Sequence, residues 1–191
     1  MKKHAIVLAA LIGAASAQAQ SPAQAQTQAG VYGTVAGGAT HLNADCAGTS
    51  ACDNTATGMK LVGGYSFGNG FSLEAGYLSF GKFRATVGTA GLSVKPTALM
   101  LGGAFALPLG TDWGMNIRLG IAQVKTKADV VVGSASGSTS DSKAKPYAGL
   151  GLTYAVSTTV KLELGVDSTQ SEFSGQKGAV RLISLGATFG F

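Results

Sequence analysis

The sequence predicts an all-β fold, in which eight antiparallel strands close into an up-and-down transmembrane β-barrel. Three observations predict it. From Gly30 onward, large hydrophobic residues alternate with small or polar ones. The connections between strands alternate between short and long, and charged residues make up only 12% of the chain. Alternation with period two is the signature of strands, and short turns at one end with long loops at the other are typical of barrels that span a bilayer.

The composition excludes several other classes of protein. The charged fraction of 12% is half of the roughly 25% usual for soluble domains, whereas hydrophobic residues make up an ordinary 46% and glycine alone counts 29. A disordered chain needs high net charge and few apolar residues. A helical membrane protein needs runs of about 18 apolar residues, and none occurs after the N-terminal segment.

The first nineteen residues have the features of a secretory signal peptide. Lys2 and Lys3 form a positive start, residues 5–15 are apolar, and small residues follow. The A-x-A cleavage pattern is met equally by Ala15-Ser16-Ala17 and Ala17-Gln18-Ala19, which predicts a cut after Ala17 or Ala19. The mature protein is therefore expected to leave the cytoplasm.

Two further segments follow the signal peptide. Residues 20–29 are rich in Gln, Ala, Ser and Thr and predict a flexible periplasmic leader, and residues 30–191 form the predicted barrel. Loss of two N-terminal lysines lowers the formal charge from +5 to +3. This charge is too small for the basic footprint of a nucleic-acid-binding protein.

The predicted strands have one apolar face each. The last strand is clear, because Ile183, Leu185 and Phe189 alternate with Ser184 and Gly186. The eight predicted strands are 30–43, 57–67, 71–82, 95–107, 113–126, 144–154, 159–170 and 178–191. The longer connections are predicted to be loops at 44–56, 83–94, 127–143 and 171–177.

The residue types on the second face indicate which side meets lipid. That face carries Gly, Ser, Thr, Asn, Lys, Glu and Arg, which suit a polar lumen and not the apolar pocket of a lipocalin-like barrel. The apolar face is therefore expected to point outward. Aromatic residues are expected in a girdle at the periplasmic strand ends, comprising Tyr65, Phe67, Phe71, Trp113, Tyr154, Phe189 and Phe191. Tyr77 and Phe83 are the candidates for the opposite girdle.

The inward face carries charges at similar distances from the periplasmic turns. These four charges are Glu74, Arg118, Lys161 and Glu163. They sum to zero, and isolated charges in a narrow lumen would be costly. The sequence therefore predicts that they interlock as a plug, with Lys60 and Asn116 at its edges.

Basic residues are expected at the outer membrane–water interface. Arg181 has outward parity ten residues before Phe191, which places it roughly 23 Å higher along a tilted strand. We expect it to contact lipopolysaccharide phosphates, assisted by Lys82, Arg84 and Lys177.

Two cysteines, Cys46 and Cys52, lie in a segment rich in Gly, Ala, Ser and Thr. Their spacing matches neither C-x-x-C nor a zinc pattern, and exported proteins are oxidised, so a disulfide across a surface loop is expected. Alkylation of the unreduced mature protein should label neither thiol, and prior reduction should expose both. Labelling without reduction, read by mass spectrometry, would contradict the bridge.

Several segments resemble a known family. Residues 184–191, Ser-Leu-Gly-Ala-Thr-Phe-Gly-Phe, resemble the barrel-assembly signal polar-x-Gly-x-x-aromatic-x-aromatic. Residues 71–77 resemble the third strand of the small OmpA-like outer-membrane β-barrel family, related to the transmembrane domain of outer membrane protein A. Residues 161–163 resemble its seventh strand, and residues 46–54 resemble first loops of small proteobacterial members. No peptidoglycan-binding domain follows Phe191, so cell-wall tethering is not among the expected functions.

The resemblance implies a place in the cell and an assembly route. It implies the outer membrane of a Gram-negative bacterium, with extracellular loops and both termini in the periplasm. It also implies that the barrel-assembly machinery recognises the C-terminal strand, through Ser184, Gly186, Phe189 and Phe191.

An enzyme is not expected, although some small outer-membrane barrels modify lipid A. After removal of the signal peptide the chain has one histidine, His41, near Asp45 and Ser50, and there is no second histidine to support a metal. The sequence predicts no metal or cofactor. It predicts a monomeric structural and surface-interaction barrel with a plugged lumen. Its loops would contact lipopolysaccharide, host or phage. A small ion channel and a lipid A-modifying enzyme are the alternatives.

Overall fold

The computed structural model describes residues 29–43, 51–88, 90–132, 135–173 and 176–191. These residues form ten strands: β1 (Ala29–Leu42), β2 (Ala51–Asp53), β3 (Thr55–Phe67), β4 (Phe71–Ser79), β5 (Phe83–Val87), β6 (Ala90–Pro108), β7 (Trp113–Val132), β8 (Ala135–Ala155), β9 (Val160–Phe173) and β10 (Gln176–Gly190). None of the described residues belongs to a helix long and apolar enough to cross a membrane.

Eight of these strands close into one antiparallel barrel. β1 pairs with β3, β3 with β4 and β4 with β6, and each later strand pairs with the next. The ring closes where β10 pairs with β1, from Tyr32 opposite Gly190 to Leu42 opposite Val180. β2 and β5 pair with each other and extend the sheet beside β6. The predicted eight-stranded up-and-down barrel is confirmed.

The outer face carries the large apolar residues, as the alternation predicts. Leu99, Leu119 and Ile121 are each 64% exposed, whereas the neighbouring Ala98 and Ala122 are at most 2% exposed. The cause is the pleat of a strand, which sends successive side chains to opposite faces. The outer surface is therefore apolar around the barrel wall.

The two ends of the barrel differ. One end, here called the turn end, holds the short connections 68–70, 109–112 and 156–159. The first residue of β1 and the last residue of β10 lie at the same end. Gly68 and Gly70 have φ values of 79° and 86°, which glycine adopts without steric cost. The opposite end is called the loop end.

The prediction of long loops is wrong for three connections, which are mostly strand in the structure. β7 and β8 stay paired as far as Val132 opposite Ala135, so strand replaces most of the loop predicted at 127–143. β5 and β6 occupy most of 83–94, and β9 and β10 take up most of 171–177. Ser- and Gly-rich segments have low strand propensity, but pairing with a neighbouring strand overrides it.

Part of the interior is apolar, and the prediction of a polar lumen is wrong there. A buried cluster, here called the apolar cluster, comes mostly from the loop-end halves of the strands: Leu42, Val62, Leu78, Phe80, Phe83, Ala98, Met100, Ala122, Val124, Tyr147, Val180 and Leu182. Phe83 was expected in an outer girdle but is 3% exposed. Tyr77 is half-buried and pairs with the exposed Leu99.

Aromatic rings surround the turn end on the outer face. Tyr65 and Phe67 meet edge to face at 5.3 Å between centroids, Phe67 stacks on Phe71 at 5.9 Å, and Trp113 lies 5.0 Å from Tyr154. All seven aromatic residues expected at this end are exposed. This arrangement matches the interfacial girdle of barrels in membranes.

Candidate functional site

Four of the five predicted lumen charges lie together inside the barrel. Lys60 of β3, Glu74 of β4, Arg118 of β7 and Glu163 of β9 are each at most 2% exposed. They come from four strands around the ring, and the alternation of each strand points them inward.

Arg118 lies between two carboxylates. Its Nε is 3.0 Å from Oε2 of Glu74, while Nη1 and Nη2 donate to Oε1 and Oε2 of Glu163 at 3.0 and 2.6 Å. The two parallel bonds to Glu163 have the fork geometry that makes guanidinium–carboxylate pairs strong and specific. Arg118 therefore ties β4 to β9 across the lumen.

Lys60 forms a second link to β9. Its ammonium lies 3.0 Å from Oε1 of Glu163 and 2.8 Å from Oδ2 of Asp167. Asp167 is fully buried and was not among the predicted site residues. Lys60 was expected at the edge of the plug, but here it bridges two carboxylates.

Two tyrosines end this chain of contacts. The hydroxyl of Tyr32 donates to Oε1 of Glu74 at 2.7 Å, and the hydroxyl of Tyr147 donates to Asp167. One connected set therefore crosses the lumen: Tyr32, Glu74, Arg118, Glu163, Lys60, Asp167 and Tyr147. We call it the lumen network. Burying charge without partners is costly, and here every charge has an opposite charge within hydrogen-bond distance.

A glycine of β8 leaves room for the network. Gly149 pairs with Arg118 on one side and with Asp167 on the other. A Cβ at this position would lie 2.7 Å from Oδ1 of Asp167 and 3.1 Å from the hydroxyl oxygen of Tyr147. A side chain here would therefore displace the buried carboxylate.

Lys161 occupies a different place from the one predicted. It is partly exposed and, with Asn116, lines a cavity of about 180 Å³ at the turn end. Strands of a barrel are staggered by shear, so equal counts from the turns do not give equal heights.

The lumen therefore changes character along its length. The cavity lies at the turn end and has Tyr32 in its wall, the same residue that starts the lumen network. Tyr147 ends the network and belongs to the apolar cluster. Cavity, charge and apolar packing follow one another from the turn end to the loop end.

The predicted assembly residues lie along β10. Ser184 is buried, and its hydroxyl has no hydrogen-bond partner among the described residues. Gly186 is opposite Ala36 of β1. Phe189 and Phe191 are exposed on the outer face.

The structure places three of the four predicted surface cations. Arg181 is exposed and opposite His41, which is also exposed. Lys82 and Arg84 are exposed as well. The side chain of Lys177 lies outside the described residues, as do Asp45, Cys46 and Ser50 and the side chain of Cys52, so the structure places neither the disulfide nor the loop constellation of His41.

A second charge cluster lies at the loop end, beyond the last pair of β8 and β9, Tyr147 with Thr169. Lys143 donates to Glu172 at 2.7 Å, and Lys145 donates to its other carboxylate oxygen. These two hydrogen bonds, first from Lys143 and then from Lys145, lower the pKa of Glu172 to about 2. The cluster ties β8 to β9 where their backbones separate. The sequence analysis missed it because Lys143 and Glu172 lie in segments predicted as loops, although Lys145 lies in the predicted strand 144–154.

The described residues contain no group of three or more His, Cys, Asp or Glu side chains placed to hold a metal ion. The three carboxylates of the lumen network already accept hydrogen bonds from Lys60, Arg118 and the two tyrosines.

Comparison with known proteins agrees with this architecture. The family described as outer membrane protein beta-barrel domain matches residues 6–191. No curated protein matches the chain significantly in sequence.

Solved structures share the fold at low sequence identity. Ail, the attachment invasion locus protein of Yersinia pestis, superposes with a TM-score of 0.59 at 18% identity, over 86% of this chain and 100% of Ail. Neisserial surface protein A gives 0.57 at 13%, over 84% and 97%. OprG from Pseudomonas aeruginosa gives 0.54 at 16%, over 87% and 98%.

Proposed function

Because this chain belongs to the family of outer membrane protein β-barrel domains, we propose that it is a structural and surface-interaction barrel whose lumen is closed by its own side chains. The loop end would face the outside of the cell and contact lipopolysaccharide, host or phage surfaces. The turn end and both termini would face the periplasm. Short periplasmic turns and longer extracellular strand extensions are the usual arrangement in such barrels.

The lumen network is the observation that carries the closed-lumen proposal. Eight strands leave a lumen just wide enough for side chains to fill. Arg118 and Lys60 each reach across it to β9, and their side chains are at most 1% exposed. The apolar cluster adds a second filled layer. Ions would have to cross both layers.

Wild-type protein is therefore expected to show little or no steady conductance in a planar bilayer. Lys60→Met removes the cation between Glu163 and Asp167, so it should loosen the network and give more frequent openings. Arg84→Met is a matched control, because Arg84 is exposed on β5 and its loss should not change the conductance.

A small ion channel is the competing function, and the cavity beside Lys161 supports it. Large, steady wild-type conductance that Lys60→Met leaves unchanged would favour the channel over the closed barrel.

Exposed cations support a contact with anionic lipid at the loop end. Arg181, Lys82 and Arg84 are exposed there, and we assign Lys177 to the same surface from the sequence. A structure of Ail holds the heparin analogue sucrose octasulfate. Polyanion binding at this end is the corresponding proposal for this chain, with lipopolysaccharide phosphates as the anion.

We propose no enzymatic activity. His41 lies on the outer face opposite Arg181, and the compared proteins are named for attachment, for the cell surface and for the outer membrane. Lipid A mass spectra from cells with and without the protein would differ if it were a lipid A-modifying enzyme.

The remaining proposals concern export and assembly. Residues 1–19 would be a signal peptide cut after Ala17 or Ala19, residues 20–29 a periplasmic leader, and the folded protein a monomer. We further propose that Cys46 and Cys52 form a disulfide, and that the barrel-assembly machinery recognises β10.

A further inference from the structure

Three lysines form a patch on the outer face where β6 and β7 rise beyond the apolar wall. Lys95 of β6 is directly opposite Lys127 of β7, and Lys125 is opposite Thr97. All three lysines are exposed. We call them the three-lysine patch.

The register places this patch at the upper edge of the apolar surface. Along the same face, Leu101 pairs with Ile121 and Leu99 with Gln123, and the next two rows bring in the lysines. Lys125 follows Trp113 of the aromatic girdle by twelve residues, which is roughly 28 Å along a strand tilted by about 45°. The apolar band of such barrels is about 25 Å tall.

One carboxylate, Asp129, lies on the same face as the patch, two residues beyond Lys127 and opposite Ser93, so the net charge of this surface stays positive. In the part of the chain that the structure describes, no ion pair includes Lys95, Lys125 or Lys127. Like charges directly opposite each other destabilise a sheet. An anion bound between the lysines would remove this repulsion.

The spacing of the patch suits a phosphate group. Directly opposed side chains have Cβ atoms about 4.5–5.5 Å apart, and residues two apart on one strand are separated by about 6.6 Å. Small hydroxyl residues flank the lysines, because Lys125 pairs with Ser142 and Lys127 with Ser140 of β8. Three flexible ammonium groups can therefore converge on one anion.

We propose that the three-lysine patch binds the phosphate groups of lipopolysaccharide in the outer leaflet. The proposal rests on the proposed function, which places the loop end outside the cell. The height of the patch favours a lipid over a soluble polyanion. The phosphate groups of an outer-leaflet lipid lie at the top of the hydrocarbon layer, which is the level of these three side chains.

Native mass spectrometry of the full-length protein, folded in detergent and titrated with bisphosphorylated lipid A, tests the assignment. Dephosphorylated lipid A is the comparison ligand. The variant K95Q/K125Q/K127Q should bind bisphosphorylated lipid A more weakly by roughly fivefold for each lysine removed, while dephosphorylated lipid A should bind it and the wild type alike. The comparison variant is K82Q/R84Q/R181Q, which removes the same charge from three exposed cations that the proposed function assigns to the same lipid, and it is expected to lose affinity as well.

The outcomes separate this inference from the proposed function. If K82Q/R84Q/R181Q loses affinity and the three-lysine variant does not, the patch is not the site, although the barrel still binds lipopolysaccharide. If wild type does not distinguish the two forms of lipid A, both proposals of phosphate binding fail. Sucrose octasulfate is the soluble probe. If it binds wild type and loses affinity in the three-lysine variant, while lipid A binding is unchanged, the patch belongs to a soluble polyanion.

Discussion

Replacing Arg118 by methionine is expected to lower the free energy of unfolding by about 3–5 kcal/mol, the usual cost of removing one partner from a buried ion pair. Methionine retains much of the volume of the side chain but donates no hydrogen bond. Glu74 would keep only the hydroxyl of Tyr32, and Glu163 only the ammonium of Lys60. Both carboxylates would then be buried with less compensation.

Denaturant titration of the folded barrel in lipid vesicles, followed by the fluorescence of the single tryptophan, Trp113, measures this loss. Arg84→Met is the control, because Arg84 is exposed and its replacement should cost less than about 0.5 kcal/mol. Adding Glu74→Gln to Arg118→Met should restore part of the stability, because Arg118 is the cation that pairs with Glu74 and its loss leaves that carboxylate without an opposite charge. Equal stability of wild type and Arg118→Met would show that the network does not stabilise the barrel.

Deleting Phe191 should lower the amount of protein in the outer membrane severalfold while the purified chain still folds in vitro. Phe191 is 86% exposed, so it contributes little buried area to the barrel. Its backbone amide donates to the carbonyl of Val31 at 2.9 Å, a single bond at the barrel seam. The expected loss in cells therefore reflects recognition during assembly rather than packing.

Outer-membrane fractions probed by heat-modifiable gel mobility measure the assembled protein, and refolding into vesicles measures intrinsic folding. Phe191→Ala and Phe71→Ala form a matched pair, because both residues are exposed aromatic groups at the turn end. Only the first should reduce assembly. Similar losses for both variants would assign Phe191 to the girdle and not to an assembly signal.

Whether a side chain faces the lumen or the outer surface was predictable from the sequence, because it depends only on the local geometry of its strand. The pleat alone decides whether Leu119 faces out and Arg118 faces in, and the same rule placed Lys60, Glu74 and Glu163 in the lumen. The strand count followed from the same pattern.

The loop end was less predictable. Residues 135–142 are rich in Ser, Gly and Thr, yet they pair with the end of β7 as far as Val132 opposite Ala135. Leu78, Met100 and Leu182 have inward parity in the sequence, but the Gly, Ser and charged residues around them hid their convergence into the apolar cluster. Such convergence joins residues that are far apart in the chain.

The sequence by itself determined the barrel, the outward apolar face and the charged residue types inside it. The reason is that large apolar residues alternate with small or polar ones within each strand, independently of the other strands. Only the tertiary structure decided which charges meet. Closure of β10 on β1 and the stagger between strands set relative heights, so Lys60 and Asp167 joined the lumen network while Lys161 lined the turn-end cavity. Stagger is a property of the whole ring, and no single strand carries it.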